Sequence, residues 1–175
     1  VPHLVVDPVM VSTGGFALLA DDAVACMKGR LLPLAGVVTP NRYEAQLLAN
    51  MTIDSVEDAK IAARKILDCG PRAVLIKGGH LDLADRSVDV LWDGERASVF
   101  EAERIDTPHT HGTGCTYSAA IAAQLARGCS LVEAVGKAKG YITEAIRHGL
   151  AIGHGHGPTH HFYFLSETSH KCGSR

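Results

Sequence analysis

The sequence predicts an α/β fold on a mostly parallel sheet, flanked by helices and extended by one antiparallel β-hairpin. Three observations carry this. Short apolar runs at 4–6, 36–39 and 73–76, rich in valine, alternate with helical segments; such continuous runs suit strands buried on both faces. Two further runs, 88–92 and 97–100, flank Asp93-Gly94, a hairpin signal. The chain has 175 residues and no internal repeat or low-complexity linker, which fits one domain with a substantial core.

Taken in order, the first strand closes at Asp7-Pro8, and a Gly14-Gly15 loop leads to an amphipathic helix over about 22–32. After the second strand, Pro40 suits the first turn of a helix carrying Glu44, Leu47 and Leu48. Ser55 is the N-cap of a helix that runs to Leu67 and is stopped by Gly70. The third strand ends at Lys77-Gly78-Gly79-His80. Small residues fill a helix over 112–126, and another follows over 131–146. From Gly153 on the chain is rich in glycine and histidine; residues 166–175 are expected to be disordered, leaving 1–165 as the folded part.

Composition narrows the function classes. A net charge of −2 provides no basic field for nucleic acid. Asp7, Asp21, Lys28 and Arg30 interrupt the early apolar runs, and no stretch is long enough to span a bilayer. The first residues lack the charged leader and cleavage pattern of a signal peptide. Five scattered cysteines suit reduced thiols better than a disulfide framework. Asn50-Met51-Thr52 is then a chance sequon. The partners expected are small molecules, neither nucleic acid nor membrane.

In parallel sheets ligands bind at the carboxyl ends of the strands. That rule selects Asp7, Asn41 with Glu44, Lys77, and the turn Gly112-Thr113-Gly114-Cys115 before a helix. Two acids, one base and a glycine turn at a helix start make a phosphoryl-transfer set. The glycines let backbone N–H groups approach an anion, and the helix start adds orphan donors and the positive dipole end. A tight loop feeding a packed helix is the alternative. Tyr117 stands where a dinucleotide fingerprint needs a third Gly or Ala, and no P-loop motif occurs.

Each candidate has a second reading. Cys115 in a first helical turn is either a base favoured by the dipole, an inert packed residue, or half of a Cys-His nucleophile pair with His109 or His111. Glu44 either holds Mg²⁺ or caps a solvated first turn with Asn41. Asp7 before Pro8 also suits a turn, and Lys77 a snorkelling surface side chain. His154, His156, His160 and His161 raise a tail metal site, but no Cys or acid accompanies them at ligand spacing.

Five segments, in order, resemble the hydroxymethylpyrimidine/phosphomethylpyrimidine kinases of the ribokinase superfamily. They are Val6-Asp7-Pro8-Val9-Met10, Thr39-Pro40-Asn41-Arg42-Tyr43-Glu44-Ala45, Ile76-Lys77-Gly78-Gly79-His80, Thr107 through Thr116, and His156-Gly157-Pro158. Cysteine at the end of the glycine turn, where ribokinase relatives carry Asp, marks the pyrimidine-kinase branch. The resemblance implies a ribokinase-like fold, incomplete on its N-terminal side. It also implies ATP- and Mg²⁺-dependent phosphorylation of 4-amino-5-hydroxymethyl-2-methylpyrimidine and its monophosphate in thiamine biosynthesis. By the same resemblance, Gly112, Thr113 and Gly114 form the anion hole and Cys115 is the base beside the substrate. Asp7 and Glu44 serve the metal, Lys77, Asn41, Glu44 and Lys139 serve the nucleotide, and Val9 lines the pyrimidine pocket. A homodimer is expected for the full-length form, in the cytoplasm as the reduced thiols suggest, or in the plastid if the source is a plant. Pyridoxal or pyridoxine kinase is the nearest alternative, a Cys-dependent hydrolase the next, and a non-catalytic binding remnant the third.

Overall fold

The computed structural model describes residues 3–11, 16–78, 85–152 and 154–168. One sheet orders its strands as β1 (Val5–Val6), β2 (Val37–Val38), β3 (Val74–Ile76), β4 (Arg86–Trp92) and β5 (Ala97–Glu103). The first three are parallel, β4 is antiparallel to β3, and β5 is antiparallel to β4. The helices are α1 (Asp21–Cys26), α2 (Arg42–Ala49), α3 (Val56–Leu67), α4 (Thr113–Ala126), α5 (Leu131–Arg147) and α6 (Tyr163–Thr168). This is the parallel sheet with an antiparallel hairpin that the sequence predicts.

The central strands are apolar throughout because both faces are covered. Successive side chains of a strand point to opposite faces. Val38, Val74, Ile76 and Val90 therefore pack with Ala45, Leu48, Ala59, Ala62 and Ile66 from α2 and α3. Val37, Leu75 and Leu91 pack on the other face with Tyr117, Ile121, Leu125, Ala138 and Ile142 from α4 and α5. On β5, exposed Glu101 and Glu103 alternate with half-buried residues; charges at a sheet edge discourage further pairing.

Local structure departs from expectation where proline and capping compete with periodicity. The helix expected over 22–32 starts at Asp21, widens into a π turn over Met27–Leu31 and closes as a 3-10 turn over Leu32–Leu34. Pro33 has no N–H for a continued α-helix, and its ring would collide with the carbonyl four residues back. Pro40 lies before α2 rather than in its first turn. Asn41 is the N-cap: its Oδ1 accepts the N–H of Glu44 at 3.0 Å while Glu44 Oε2 accepts that of Asn41 at 2.8 Å. The hairpin turn spans 93–96, because Asp93 Oδ1 accepts the N–H groups of Arg96 and Glu95 at 2.9 and 3.0 Å. Those bonds hold its carboxyl below the ordinary range. Ser55 caps α3 as expected, and Gly70 ends it at a φ of 97°, with its backbone against Pro33. Residues 166–168 of the tail expected to be disordered belong to α6. Residues 169–175, Gly14-Gly15 and Gly79-His80 lie outside the described residues.

Candidate active site

Asp7 follows β1, Asn41 follows β2 and Lys77 follows β3, so the parallel register brings all three to one edge. The N–H of Lys77 donates to Pro40 O at 2.9 Å, and Asn41 and Lys77 form an isolated parallel bridge. Lys77 Nζ lies 2.8 Å from Asp7 Oδ1, both side chains being largely buried. Asp7 Oδ2 meets no donor among the described residues. A Cβ on Gly114 would stand 3.1 Å from Lys77 Nζ and 3.7 Å from Asp7 Oδ2. The ion pair thus lies against the bare backbone that opens α4.

Gly112 is the N-cap of α4 at a φ of 83°, a conformation that strains any residue with a Cβ. Thr113, expected as an anion-hole donor, has its N–H on Thr110 O at 3.2 Å, and its hydroxyl donates to the same oxygen at 2.7 Å. Both groups close the turn. The N–H groups of Gly112, Gly114 and Cys115 meet no acceptor among the described residues. They are the orphan donors of a helix start. Cys115 is exposed, not packed in the core.

Two contacts that the sequence does not announce hold this turn. Thr39 Oγ1 is 2.8 Å from Ser118 Oγ, which donates to Gly114 O at 3.0 Å. The His156-Gly157-Pro158 segment forms a strap over the preceding loop. His109 Nδ1 accepts the Gly157 N–H at 3.1 Å, His111 N–H donates to Gly157 O at 3.2 Å, and Leu150 N–H donates to Pro158 O at 3.0 Å. A Cβ on Gly157 would collide with the Leu150 carbonyl and stand 2.5 Å from His109 Nδ1. His109 therefore serves the strap through Nδ1. Among the described residues no group of three or more His, Cys, Asp or Glu could hold a metal ion.

Glu44 is capped but not solvated, being 2% exposed. Its Oε2 takes the Asn41 N–H and its Oε1 the Met10 N–H at 2.9 Å. Burial pushes its carboxyl up, and the charge of Asp7 adds to the rise; the Asn41 hydrogen bond, the charge of Lys77 and the Met10 hydrogen bond oppose it. The Met10 bond also fixes the turn at Val9, an exposed β-branched residue at a φ of 46°. That left-handed conformation costs about 1–2 kcal/mol and is the kind of strain that functional sites retain. Lys139, expected beside the nucleotide, is buried, and its ammonium is committed to Asp89 Oδ2 at 2.7 Å and Ser87 Oγ at 2.9 Å. Ser118 and Asp89 are missing from the sequence reading, and Thr39 and Tyr117 appear there without a role in the site. Only Thr39, between a buried strand and Pro40-Asn41, had a local signal.

This site and fold have solved counterparts. The pyridoxal kinase of Staphylococcus aureus in complex with ADP superposes with a TM-score of 0.86 at 40% identity, over 93% of this chain and 59% of that one. The phosphomethylpyrimidine kinase of Clostridium difficile does so at 0.71 and 42% identity, over 83% and 58%. The fold is that of the ribokinase-like kinases. The phosphomethylpyrimidine kinase family profile matches residues 1–160. The hydroxymethylpyrimidine/phosphomethylpyrimidine kinase of Synechococcus elongatus is 54% identical over 161 residues, 92% of this chain and 61% of that protein. The chain belongs to the phosphomethylpyrimidine kinase family. It spans about 60% of the length of the curated relatives it matches.

Proposed function

We propose that this chain carries the phosphoryl-transfer machinery of a kinase acting on 4-amino-5-hydroxymethyl-2-methylpyrimidine and then on its monophosphate, with ATP as donor. The observation that carries the reading is the Lys77–Asp7 pair lying on Gly114 at the opening of α4, beside exposed Cys115. Lys77 offsets phosphate charge. The N–H groups of Gly112, Gly114 and Cys115 donate to the transferring group, each such donor being worth about 3 kcal/mol in a transition state. The Cys115 thiolate takes the proton of the substrate hydroxyl. Phosphoryl transfer asks the protein mainly for position and charge, which this set supplies.

Magnesium, were it bound, would offset phosphate charge. Asp7 Oδ2 suits a place in its shell. Glu44, whose two oxygens already accept backbone N–H groups, suits an outer place with Asn41. Val9 lines the ring pocket from its strained turn. The ADP complex of the S. aureus relative supports nucleotide use, and the S. elongatus relative supports the pyrimidine.

A second reading, pyridoxal phosphorylation, is favoured by the 0.86 TM-score to a pyridoxal kinase. The test is to express the protein from its own complete reading frame and offer both rings with MgATP, reading products by mass spectrometry. Pyrimidine mono- and diphosphate are expected. A strong preference for pyridoxal selects the second reading, and transfer to neither ring overturns both.

A further inference from the structure

Three elements converge on the carboxylate of Asp89, a buried residue of β4. Its Oδ1 accepts the N–H of Gly78 at 2.9 Å. Its Oδ2 accepts from Lys139 Nζ of α5 at 2.7 Å, and that ammonium also donates to Ser87 Oγ at 2.9 Å. The buried hydroxyl of Tyr117, on α4, lies beside the same carboxylate without a partner of ordinary hydrogen-bond geometry. The Lys139 and Asp89 side chains are 9% and 3% exposed. Ions this deep pay a desolvation cost of several kcal/mol each that their attraction only partly returns. Leu91, which follows Asp89 on the same face of β4, is apolar and fully buried, so packing alone does not call for a charge there.

The position of Gly78 explains what the pair does. Gly78 follows Lys77, and the register that pairs Ile76 with Val90 sets Asp89 across from Lys77. Lys77 is therefore gripped from both sides: its own N–H is on Pro40 O, and the next N–H is on Asp89. We infer that Asp89 and Lys139 form a positioning couple that aims Lys77 at Asp7 and Gly114, with the Lys139 charge acting on Asp89 rather than on phosphate. The inference rests on the kinase reading for its activity arm.

The test is a double-mutant cycle in the protein expressed from its complete reading frame: wild type, Asp89→Asn, Lys139→Met, and the double variant. Either single change leaves a buried charge unpaired. The double leaves a neutral pair of similar shape whose Asn Oδ1 still accepts from Gly78. Measured are melting temperature, affinity for a fluorescent ATP analogue with Mg²⁺, kcat and KM. Each single variant is expected to melt lower and to lose about tenfold or more in kcat, with the double restored to within about threefold of wild type and its nucleotide affinity unchanged. A double variant that melts like wild type but binds nucleotide as weakly as Lys139→Met overturns the inference, because the ammonium then touches the nucleotide. Wild-type kcat in Lys139→Met overturns it as well. Should the singles fail to fold, the double decides the matter by the same criteria. Should wild type transfer no phosphoryl group, the kinase reading fails separately. The couple is then judged by hydrogen exchange at the Gly78 amide: slow in wild type and double but fast in Lys139→Met supports it, and equal rates in all variants overturn it.

Discussion

Replacing Gly114 by alanine separates stability from catalysis at one atom. Its backbone is outside the left-handed region, and alanine is the better helix former by up to about 1 kcal/mol. The added methyl would stand 3.1 Å from Lys77 Nζ and 4.0 Å from Lys77 Cε. A comfortable contact needs about 3.5 Å or more, so the ammonium must withdraw by roughly half an ångström. As the far end of a flexible side chain, it can do so cheaply, and the melting temperature should stay within about 4 °C of wild type. The 2.8 Å pair with Asp7 moves with it, away from the turn where the phosphoryl group is to be met. A misplacement of about 1 Å can cost about a hundredfold, so one of half that size should cost about tenfold in kcat/KM, equal to about 1.4 kcal/mol of transition-state stabilisation. Differential scanning calorimetry beside a coupled ADP-release assay reads both quantities. Unchanged kcat/KM would refute the role of the ion pair's seat on this backbone. A collapse in melting temperature would show that something more rigid than an ammonium meets the methyl.

Cys115→Ala should abolish most transfer while leaving MgATP affinity within about twofold, because the thiol acts on the acceptor hydroxyl; Cys115→Asp should retain part of the activity. Full activity in Cys115→Ala, by the same assay, removes its role. Glu44 titrates above its ordinary value of 4.5 in the folded protein. Its contribution to stability is therefore fully present below that value and lost as pH rises through the elevated native pKa. Urea unfolding of wild type and Glu44→Gln across this window should show the wild-type advantage shrinking with rising pH, and a constant difference would contradict the burial argument. Gly157→Ala should destabilise by about 1–3 kcal/mol and speed proteolysis within 149–160, since its methyl meets backbone that cannot give way; an unchanged urea midpoint counts against the strap.

Much of the site was legible because each residue sits next to the element end that places it. Asp7 and Lys77 follow buried strands, Asn41 opens a helix, and Gly112 to Cys115 opens another. A parallel sheet gathers strand ends at one edge, so adjacency in sequence was enough to foresee convergence. The same logic misjudged Pro40 and the helix over 22–32, where a capping box and Pro33 overrode periodicity. For Thr113 and Glu44 the sequence pointed to a place in the chain but not to the bonds their atoms make. The Thr113 N–H turns back on Thr110, and the Glu44 oxygens are both taken by backbone.

What the sequence by itself determined is therefore the layer architecture, the edge where chemistry collects and the residue types brought there. These follow from periodicities of 2 and 3.6 and from caps, all of them local properties of the backbone. Tertiary structure alone decided which atoms meet. Lys139 finds Asp89 across 50 positions of sequence, Ser118 finds Thr39 across 79, and His109 finds Gly157 across 48. A local pattern sets the direction in which a side chain leaves its own element. Its partner depends on sheet register and on how helices pack over the sheet, and those are settled only when the whole core closes.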